Sequence, residues 1–226
     1  MAETIIGIIA PFAGTTLGAA STLMMKRKIS NSTNEIFIAV TLGIMLAATV
    51  SLISSCEDLL PLSAGFVIGV GVMVALELLT KLSGDKRMML AITVHNIPEG
   101  MAGVGAAFAA ATTSGGYVAA LSLAVGIAVQ NMPEGAVVGL MFREKGRFNA
   151  FLRGTATGVV EPVFSVLTLL FSVTVTAALP YLLAFSAGAM IYVCIRELAP
   201  KIESAKGAFA SCLGFIIMLI LDIALG

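Results

Sequence analysis

The chain has 226 residues, of which 58% are hydrophobic and only 12% charged, with a mean hydropathy of +1.04 and a formal net charge of zero. A soluble domain of this size needs roughly 25% charged residues, so the composition predicts a polytopic membrane protein. Because the chain has no basic block and no aromatic-flanked basic patch, a nucleic-acid-binding surface is excluded.

Apolar runs long enough to cross a bilayer recur along the whole chain. Backbone groups in lipid must be satisfied internally, and the runs lack the short alternating pattern of barrel strands, so each run is assigned to a helix. The first run is expected to stay as a span, because Met1-Ala2-Glu3 lacks the positive region of a signal peptide. The sequence therefore predicts an all-α fold in a single transmembrane domain, residues 1–226, with eight spans at approximately 4–24, 35–55, 62–80, 88–111, 117–142, 154–172, 178–196 and 208–225.

The distribution of basic residues tests this count, because cytoplasmic loops collect Lys and Arg. All thirteen cations fall in alternate connections, which places them on one side of the membrane: Lys26, Arg27 and Lys28; Lys81, Lys86 and Arg87; Arg143, Lys145, Arg147 and Arg153; Arg196, Lys201 and Lys206. The intervening connections, including the turn before Pro180, carry none. We therefore expect a multi-pass protein of the cell membrane with both termini outside.

Acidic residues occur within the predicted spans, where a carboxylate is costly and usually functional. Glu99, Glu134 and Glu161 are the clearest cases, and Glu77 lies nearer a helix end. No Lys or Arg lies deep in any predicted span, so a bound cation is the natural partner for these carboxylates. The alternative is that each glutamate is protonated and hydrogen-bonded to a neighbouring helix.

One motif occurs twice in the sequence, as HNIPEG at 95–100 in the fourth predicted span and QNMPEG at 130–135 in the fifth. A short outward turn joins these spans, so they run antiparallel and the two copies form an inverted repeat, a geometry that transporters use to build midplane sites. His95 with Glu99, and Gln130 with Glu134, are four residues apart and share a helix face. Pro98 and Pro133 should bend the helices and free a carbonyl in each.

The residue types in this repeat favour a transition metal. Imidazole together with carboxylate and amide oxygens suits zinc, iron(II), manganese or cadmium, whereas magnesium and calcium prefer shells made only of oxygen. A lone histidine is more often a core residue and an intramembrane proline a simple kink, but neither reading explains the repetition.

The chain resembles the ZIP (Zrt-/Irt-like) family of metal transporters over its whole length. HNIPEG matches the most specific signature of that family, and QNMPEG resembles the variant in its GufA-like branch, where glutamine replaces histidine. The resemblance implies uptake of zinc and similar divalent ions into the cytoplasm, an eight-helix fold with outward termini and a transport site for two metal ions.

The resemblance also assigns ligands. His95, Glu99, Gln130 and Glu134 would bind the first ion, while Asn96, Asn131 and Glu161 would complete a second site, with the two shared glutamates bridging. Met45 resembles a position that supplies a thioether to the first ion, and ordinary core packing is the equal alternative.

The spacing independently favours a second ion at Glu161. Asn96 and Asn131 each follow a first-site residue by one position and so point about 100° away around their helices. Two divalent ions also need more negative charge than two carboxylates supply. Glu161 lies about seven residues into the sixth span, roughly 11 Å deep, and Pro162 should bend the helix and free the carbonyl of Gly158.

Two features depart from the family pattern. The connection at 81–87 has no histidine, which excludes metal buffering by that loop, and Gln130 should weaken the preference for zinc. Asp58 and Glu197 could mark an entrance and an exit, although each is more simply an interfacial charge.

Three other functions compete with metal uptake. A single histidine in the chain argues against an intramembrane metallohydrolase, so we expect no enzyme and no cofactor beyond the transported ions. A passive channel would use rings from several subunits, and proline-broken antiparallel helices fit a carrier better. Export instead of import stays open, as does a homodimer.

Overall fold

The computed structural model describes residues 1–25 and 29–225. Its helices are α1 (Ala2–Met24), α2 (Asn31–Ser54), α3 (Leu59–Thr80), α4 (Asp85–Pro98), α5 (Ala106–Ser114), α6 (Tyr117–Met141), α7 (Arg147–Gly158), α8 (Val160–Leu170), α9 (Ser172–Val193) and α10 (Ala205–Leu225). Two π-helical turns, Glu99–Gly105 and Cys194–Leu198, continue α4 and α9. No strand occurs among the described residues, which confirms the all-α fold. Lys26, Arg27 and Lys28 lie outside them.

Six helices in the described ranges are long and apolar enough to cross a membrane: Ala2–Met24, Asn31–Ser54, Leu59–Thr80, Tyr117–Met141, Ala178–Lys201 and Ala205–Ala224. The predicted fourth and sixth spans are also helical, but neither is one regular helix. The fourth changes to a π-helical turn directly after Pro98. The sixth breaks at Val159, three residues before Pro162. Both breaks follow from proline, which removes a backbone donor and clashes with the carbonyl four residues back.

Several helices extend beyond the approximate span limits that the sequence predicts. α4 begins at Asp85 instead of 88, and α7 begins at Arg147 instead of 154, because hydropathy marks only the apolar stretch while a helix continues into the polar interface. α9 begins at Ser172, directly after a turn at Phe171, and Pro180 lies inside this helix instead of after a turn. The segment 172–177 contains no Gly or Pro to end a helix, and apolar helices tolerate an internal proline.

Contacts between helix ends bring several connections that carry Lys and Arg together at one end of the helix bundle. Arg143 Nη1 donates to the carbonyl of Thr22 at 3.3 Å, and Lys201 Nζ lies 3.3 Å from Met88 Sδ. Arg87 at the start of α4 pairs with Glu197 at the end of α9. We call this end, defined by Thr22, Glu77, Arg87, Arg143 and Glu197, the basic end. Its composition agrees with the predicted one-sided distribution of cations.

Glycines allow the helix axes to approach closely. A Cβ on Gly14 or Gly18 would lie 2.0 or 1.8 Å from a backbone carbonyl oxygen of α6. Gly65 and Gly69 meet the backbone of α9 in the same way, and Gly154 meets the backbone of α6. α1 therefore packs against α6 and α7, and α3 packs against α9, while α2 packs against α10. Close packing of these helices therefore depends on the absence of a side chain at these glycines.

The chain reverses between the two copies of the repeated motif. Gly115 ends α5 with φ of 76°, a left-handed conformation that glycine adopts without steric cost, and α6 begins at Tyr117. Residue 95 then lies opposite 134, and 99 opposite 130. This register shows that α4 and α6 run antiparallel, as the inverted repeat predicts.

Candidate metal centre

Four side chains of the repeated motif meet between α4 and α6. His95 and Glu99 are one helical turn apart and project from the same face, as do Gln130 and Glu134. His95 Nε2 lies 3.3 Å from Glu134 Oε2, and Gln130 Nε2 donates to Glu99 Oε1 at 2.5 Å. We call His95, Glu99, Gln130 and Glu134 the first cluster. The structure brings together the four residues predicted to bind the first ion.

A second group of polar side chains surrounds Glu161 on α8. Asn96 Nδ2 donates to Glu161 Oε1 at 3.0 Å, and Asn131 Nδ2 donates to Glu161 Oε2 at 2.7 Å. Thr15 Oγ1 on α1 donates to Glu161 Oε1 at 3.4 Å. We call Thr15, Asn96, Asn131 and Glu161 the second cluster. Asn96 and Asn131 each stand one position beyond a residue of the first cluster, so the two clusters are adjacent but face different helices.

Both clusters are buried and carry unbalanced carboxylates. Glu99 is 4% exposed, Glu161 is 1% exposed and Glu134 is fully buried. Within the described ranges, no Lys or Arg forms an ion pair with any of these three glutamates. A buried charge without a partner is strongly unfavourable, so the site favours a cation from outside the protein.

Several buried polar atoms in the clusters have no hydrogen-bond partner. They are Glu99 Oε2, Glu134 Oε1, Asn96 Oδ1 and Asn131 Oδ1. Unsatisfied buried polar atoms are rare in proteins and each calls for an explanation. In the part of the chain that the structure describes, no three His, Cys, Asp or Glu side chains stand together as a preformed metal site. Amide donors instead occupy oxygens of Glu99 and Glu161, so an ion would have to displace them.

Comparisons with known proteins place this chain in a family. No family model matches the chain. Human zinc transporter ZIP11 is 43% identical over 146 residues, which cover 62% of this chain and 43% of that protein. Zinc transporter GufA of Myxococcus xanthus is 41% identical over 158 residues, covering 65% and 58%. Zinc transporter ZIPB of Bordetella bronchiseptica is 31% identical over 260 aligned positions, covering 98% of this chain and 81% of its own. This chain belongs to the ZIP family.

The similarity to GufA and ZIP11 confirms the predicted assignment to the GufA-like branch of the ZIP family. The matched part of this chain spans less than two thirds of ZIP11 and of GufA. The membrane-spanning helices and the similarity to these transporters agree with a multi-pass membrane protein.

Met45 and Asp58 are members of neither cluster of this ZIP-family chain. Met45 is fully buried on α2 and belongs to an apolar cluster with Met88, Ile92 and Val138. That environment fits core packing, and its thioether role stays a prediction. Asp58 is exposed and precedes α3, which fits an interfacial charge.

Two polar side chains around the clusters were missed by sequence reasoning. Thr15 contacts Glu161, and Ser165 Oγ donates to the carbonyl of Gly100 at 2.9 Å, inside the π-helical turn. The only available signal was a hydroxyl within an apolar run, which is common in membrane helices. Ser165 satisfies a backbone group that the disrupted helix leaves free.

Proposed function

We propose that this protein carries divalent transition-metal ions, zinc first among them, across the cell membrane toward the cytoplasm. His95, Glu99, Gln130 and Glu134 bind the first ion. Asn96, Asn131 and Glu161 bind the second, and Glu99 and Glu134 bridge the two ions. Met45 approaches the first ion with its thioether. The ions are the substrate, and no other cofactor takes part.

One observation carries this proposal: buried carboxylate and amide oxygens without hydrogen-bond partners converge with the imidazole of His95 in adjacent clusters that contain no Lys or Arg. Three glutamates in such surroundings supply negative charge that a divalent ion balances. The single imidazole with oxygen ligands favours zinc and its neighbours over magnesium. The names of ZIP11, GufA and ZIPB, all zinc transporters, support the same substrate class.

Binding of an ion requires amide groups to turn. Gln130 donates through Nε2 to Glu99, and Asn96 and Asn131 donate through Nδ2 to Glu161. An amide nitrogen cannot ligate a cation, but rotation of the side-chain amide presents its oxygen instead. The hydrogen bonds thus hold the carboxylates in place until an ion replaces the donors. Release of the ion restores these hydrogen bonds.

A carrier fits the burial of the site better than a channel. The seven predicted ligands other than Met45 are at most 4% exposed, so an ion bound among them has no open path to water on either side. Inward transport rests on the family resemblance, with the basic end facing the cytoplasm and both termini outside. The clusters use helices of one chain only, so each protomer of a homodimer would carry its own ions.

Replacement of two first-cluster ligands tests the proposal. In proteoliposomes of known orientation, the His95→Ala, Glu99→Ala double variant should lower uptake of radioactive zinc by at least about 100-fold, since loss of even supporting residues costs 10–100-fold in metal affinity. Its thermal stability should hold or rise, because removal of an unpaired carboxylate relieves about 2.5–3.5 kcal/mol.

The matched control is the Glu57→Ala, Asp58→Ala double variant, whose two acidic side chains are exposed between α2 and α3. It should transport like the unmodified protein. Zinc uptake by the His95, Glu99 variant equal to that of the unmodified protein would remove the first cluster from the pathway. Net efflux in the same vesicles would reverse the proposed direction.

A further inference from the structure

The face of α4 that carries the first-cluster ligands continues to the basic end. Arg87, Ala91, His95 and Glu99 are spaced four residues apart, which places them in one row along the helix. Arg87 lies two turns from His95, about 12 Å along the axis at 1.5 Å per residue. An ion that leaves the first cluster toward the basic end along this row approaches Arg87.

Arg87 is held by two carboxylates from different helices. Its Nε lies 2.5 Å from Glu197 Oε1, and its Nη1 lies 2.9 Å from Glu77 Oε1. Arg196 Nη2 lies 2.6 Å from the same oxygen of Glu77, and Tyr192 donates a hydrogen bond to the other oxygen. The side chain of Glu197 is only 4% exposed and that of Arg87 is 20% exposed, whereas that of Arg196 is 50% exposed. The ion pairs of Arg87 are therefore partly shielded from water and join α3, α4 and the turn after α9.

A cavity adjoins these ion pairs on the side of α4 that carries Ala91. Its lining includes Met73, Leu76, Ala91 and Tyr192 together with Glu77, Arg87 and Glu197. Arg87 and Glu197 thus line the same small cavity, of about 10 Å³, as Ala91, which lies one helical turn from His95. The guanidinium carries the same sign of charge as the transported ion, and their repulsion is weakly screened away from water.

We propose that Arg87 is a tethered cation that closes the basic end of the transport pathway. While its guanidinium bridges Glu77 and Glu197, the three helix ends are joined and a divalent ion is repelled. When Arg87 leaves the two carboxylates, the helix ends separate, the positive charge moves out of the path, and Glu77 and Glu197 face the cavity. The role of Arg87 in a transport pathway rests on the proposed function, but the closure itself can be measured without measuring transport.

Accessibility of an engineered cysteine tests the closure. Cys56, Cys194 and Cys212 are replaced by alanine, and Ala91→Cys, 5% exposed in the native protein, serves as reporter. A charged methanethiosulfonate that does not cross membranes is applied from the basic end of oriented vesicles. Arg87→Gln should raise the labelling rate by about tenfold or more, because loss of both ion pairs shifts the equilibrium toward the open arrangement.

Arg196→Gln is the matched control. It removes the same charge from the same group of side chains, but Arg196 is half exposed and its ion pair is with Glu77, whereas Glu197 pairs with Arg87. Labelling should stay within about twofold, as expected for an exposed ion pair of small energetic weight. Met73→Cys on α3, 2% exposed, provides a second reporter that should respond to Arg87→Gln in the same way.

Charge reversal separates gating from a general loss of structure. Arg87→Glu combined with Glu197→Arg should restore slow labelling, while Arg87→Glu alone should label fast. Arg87→Lys, which keeps the charge but cannot contact both carboxylates with a planar fork, should label at an intermediate rate and covers the case in which Arg87→Gln fails to fold. Zinc affinity in detergent should be unchanged in every variant.

Unchanged labelling at both reporters in Arg87→Gln, or in Arg87→Lys if the first does not fold, would overturn the closure. Fast labelling in the charge-reversed pair would also overturn it. Failure of the proposed function gives a different result, because a protein that does not transport zinc would still show the labelling differences.

Discussion

Glu161 illustrates at the residue scale how one carboxylate collects polar partners from separate helices. Donors reach it from α1, α4 and α6 through Thr15, Asn96 and Asn131. Three neutral donors surround the carboxyl group at 1% exposure, and none of them supplies positive charge to balance a carboxylate. A cation at this position removes that imbalance, which is why Glu161 is expected to do more than pack.

Glu161→Gln should lose one of two bound ions and keep the other, because the amide preserves the shape of the side chain while removing its charge. Metal counting on purified protein in detergent measures the change. Glu203→Gln, an exposed site at the basic end, should keep both ions. The two-ion assignment fails if the unmodified protein binds one ion, or if the Glu161 variant still binds two.

Gln130 offers the first cluster a side-chain amide at a position where histidine would offer an imidazole. Gln130→His should raise the ratio of zinc to manganese uptake by about tenfold, because imidazole favours metals later in the Irving–Williams order. Competition between the two ions in proteoliposomes measures the ratio. Met132→His, on the same helix but half-exposed outside the clusters, is the control. An unchanged ratio in Gln130→His would mean that residue 130 does not touch the ion.

At the scale of helices, close contact between backbones positions the clusters. α1 approaches α6 so closely that Gly14 and Gly18 face backbone carbonyls of Ala128 and Met132. This approach brings Thr15 of α1 to Glu161 of α8 and keeps the QNMPEG copy of α6 beside it. Loss of the contact would therefore disturb the second cluster without touching any predicted ligand.

Gly14→Ala should lower the free energy of unfolding by about 1–3 kcal/mol, because a methyl group forced against backbone must be accommodated by helix displacement. Gly71→Ala is a matched control: Gly71 lies on α3 and a Cβ there meets nothing within 4 Å. That change should be neutral or stabilise by up to about 1 kcal/mol through helix propensity. Thermal unfolding in detergent measures both. Equal destabilisation by the two changes would argue against a specific α1–α6 contact.

At the scale of the whole molecule, the proposed ion-binding clusters and the proposed gate, formed by Arg87 with Glu77 and Glu197, belong to different sets of contacts. The clusters use α1, α4, α6 and α8, while the gate joins α4 to α3 and to the turn after α9. α4 takes part in both. Movement of α4 relative to α3 and α9 would therefore change access to the clusters without breaking the contacts within them.

Zinc should stabilise the folded protein, because a ligand that binds only the folded state adds stability by mass action, about 2.7 kcal/mol at 100-fold excess over Kd. A rise in Tm in detergent with zinc, and none with an equal concentration of magnesium, is the expected result. The His95→Ala, Glu99→Ala variant should lose most of the rise. Equal rises with zinc and magnesium would contradict a site selective for transition metals.

Some properties of this protein follow from its sequence alone. The all-α membrane fold follows from apolar runs, because lipid leaves the backbone no other way to satisfy its hydrogen bonds. The repeated HNIPEG and QNMPEG motifs show which residues share a helix face, since that depends only on the helical period. Membership of the ZIP family was recognised from the same motifs and is confirmed by the similarity to ZIPB.

Only the tertiary structure decided which separate helices meet. Asn96, Asn131 and Thr15 converge on Glu161 from helices whose rotation and crossing no local pattern specifies. The π-helical turn after Pro98 and the break before Pro162 depend on whether neighbours such as Ser165 satisfy the freed carbonyls. The pairing of Arg87 with both Glu77 and Glu197 was likewise not visible in the sequence, because it requires three helix ends, distant in the chain, to pack side by side.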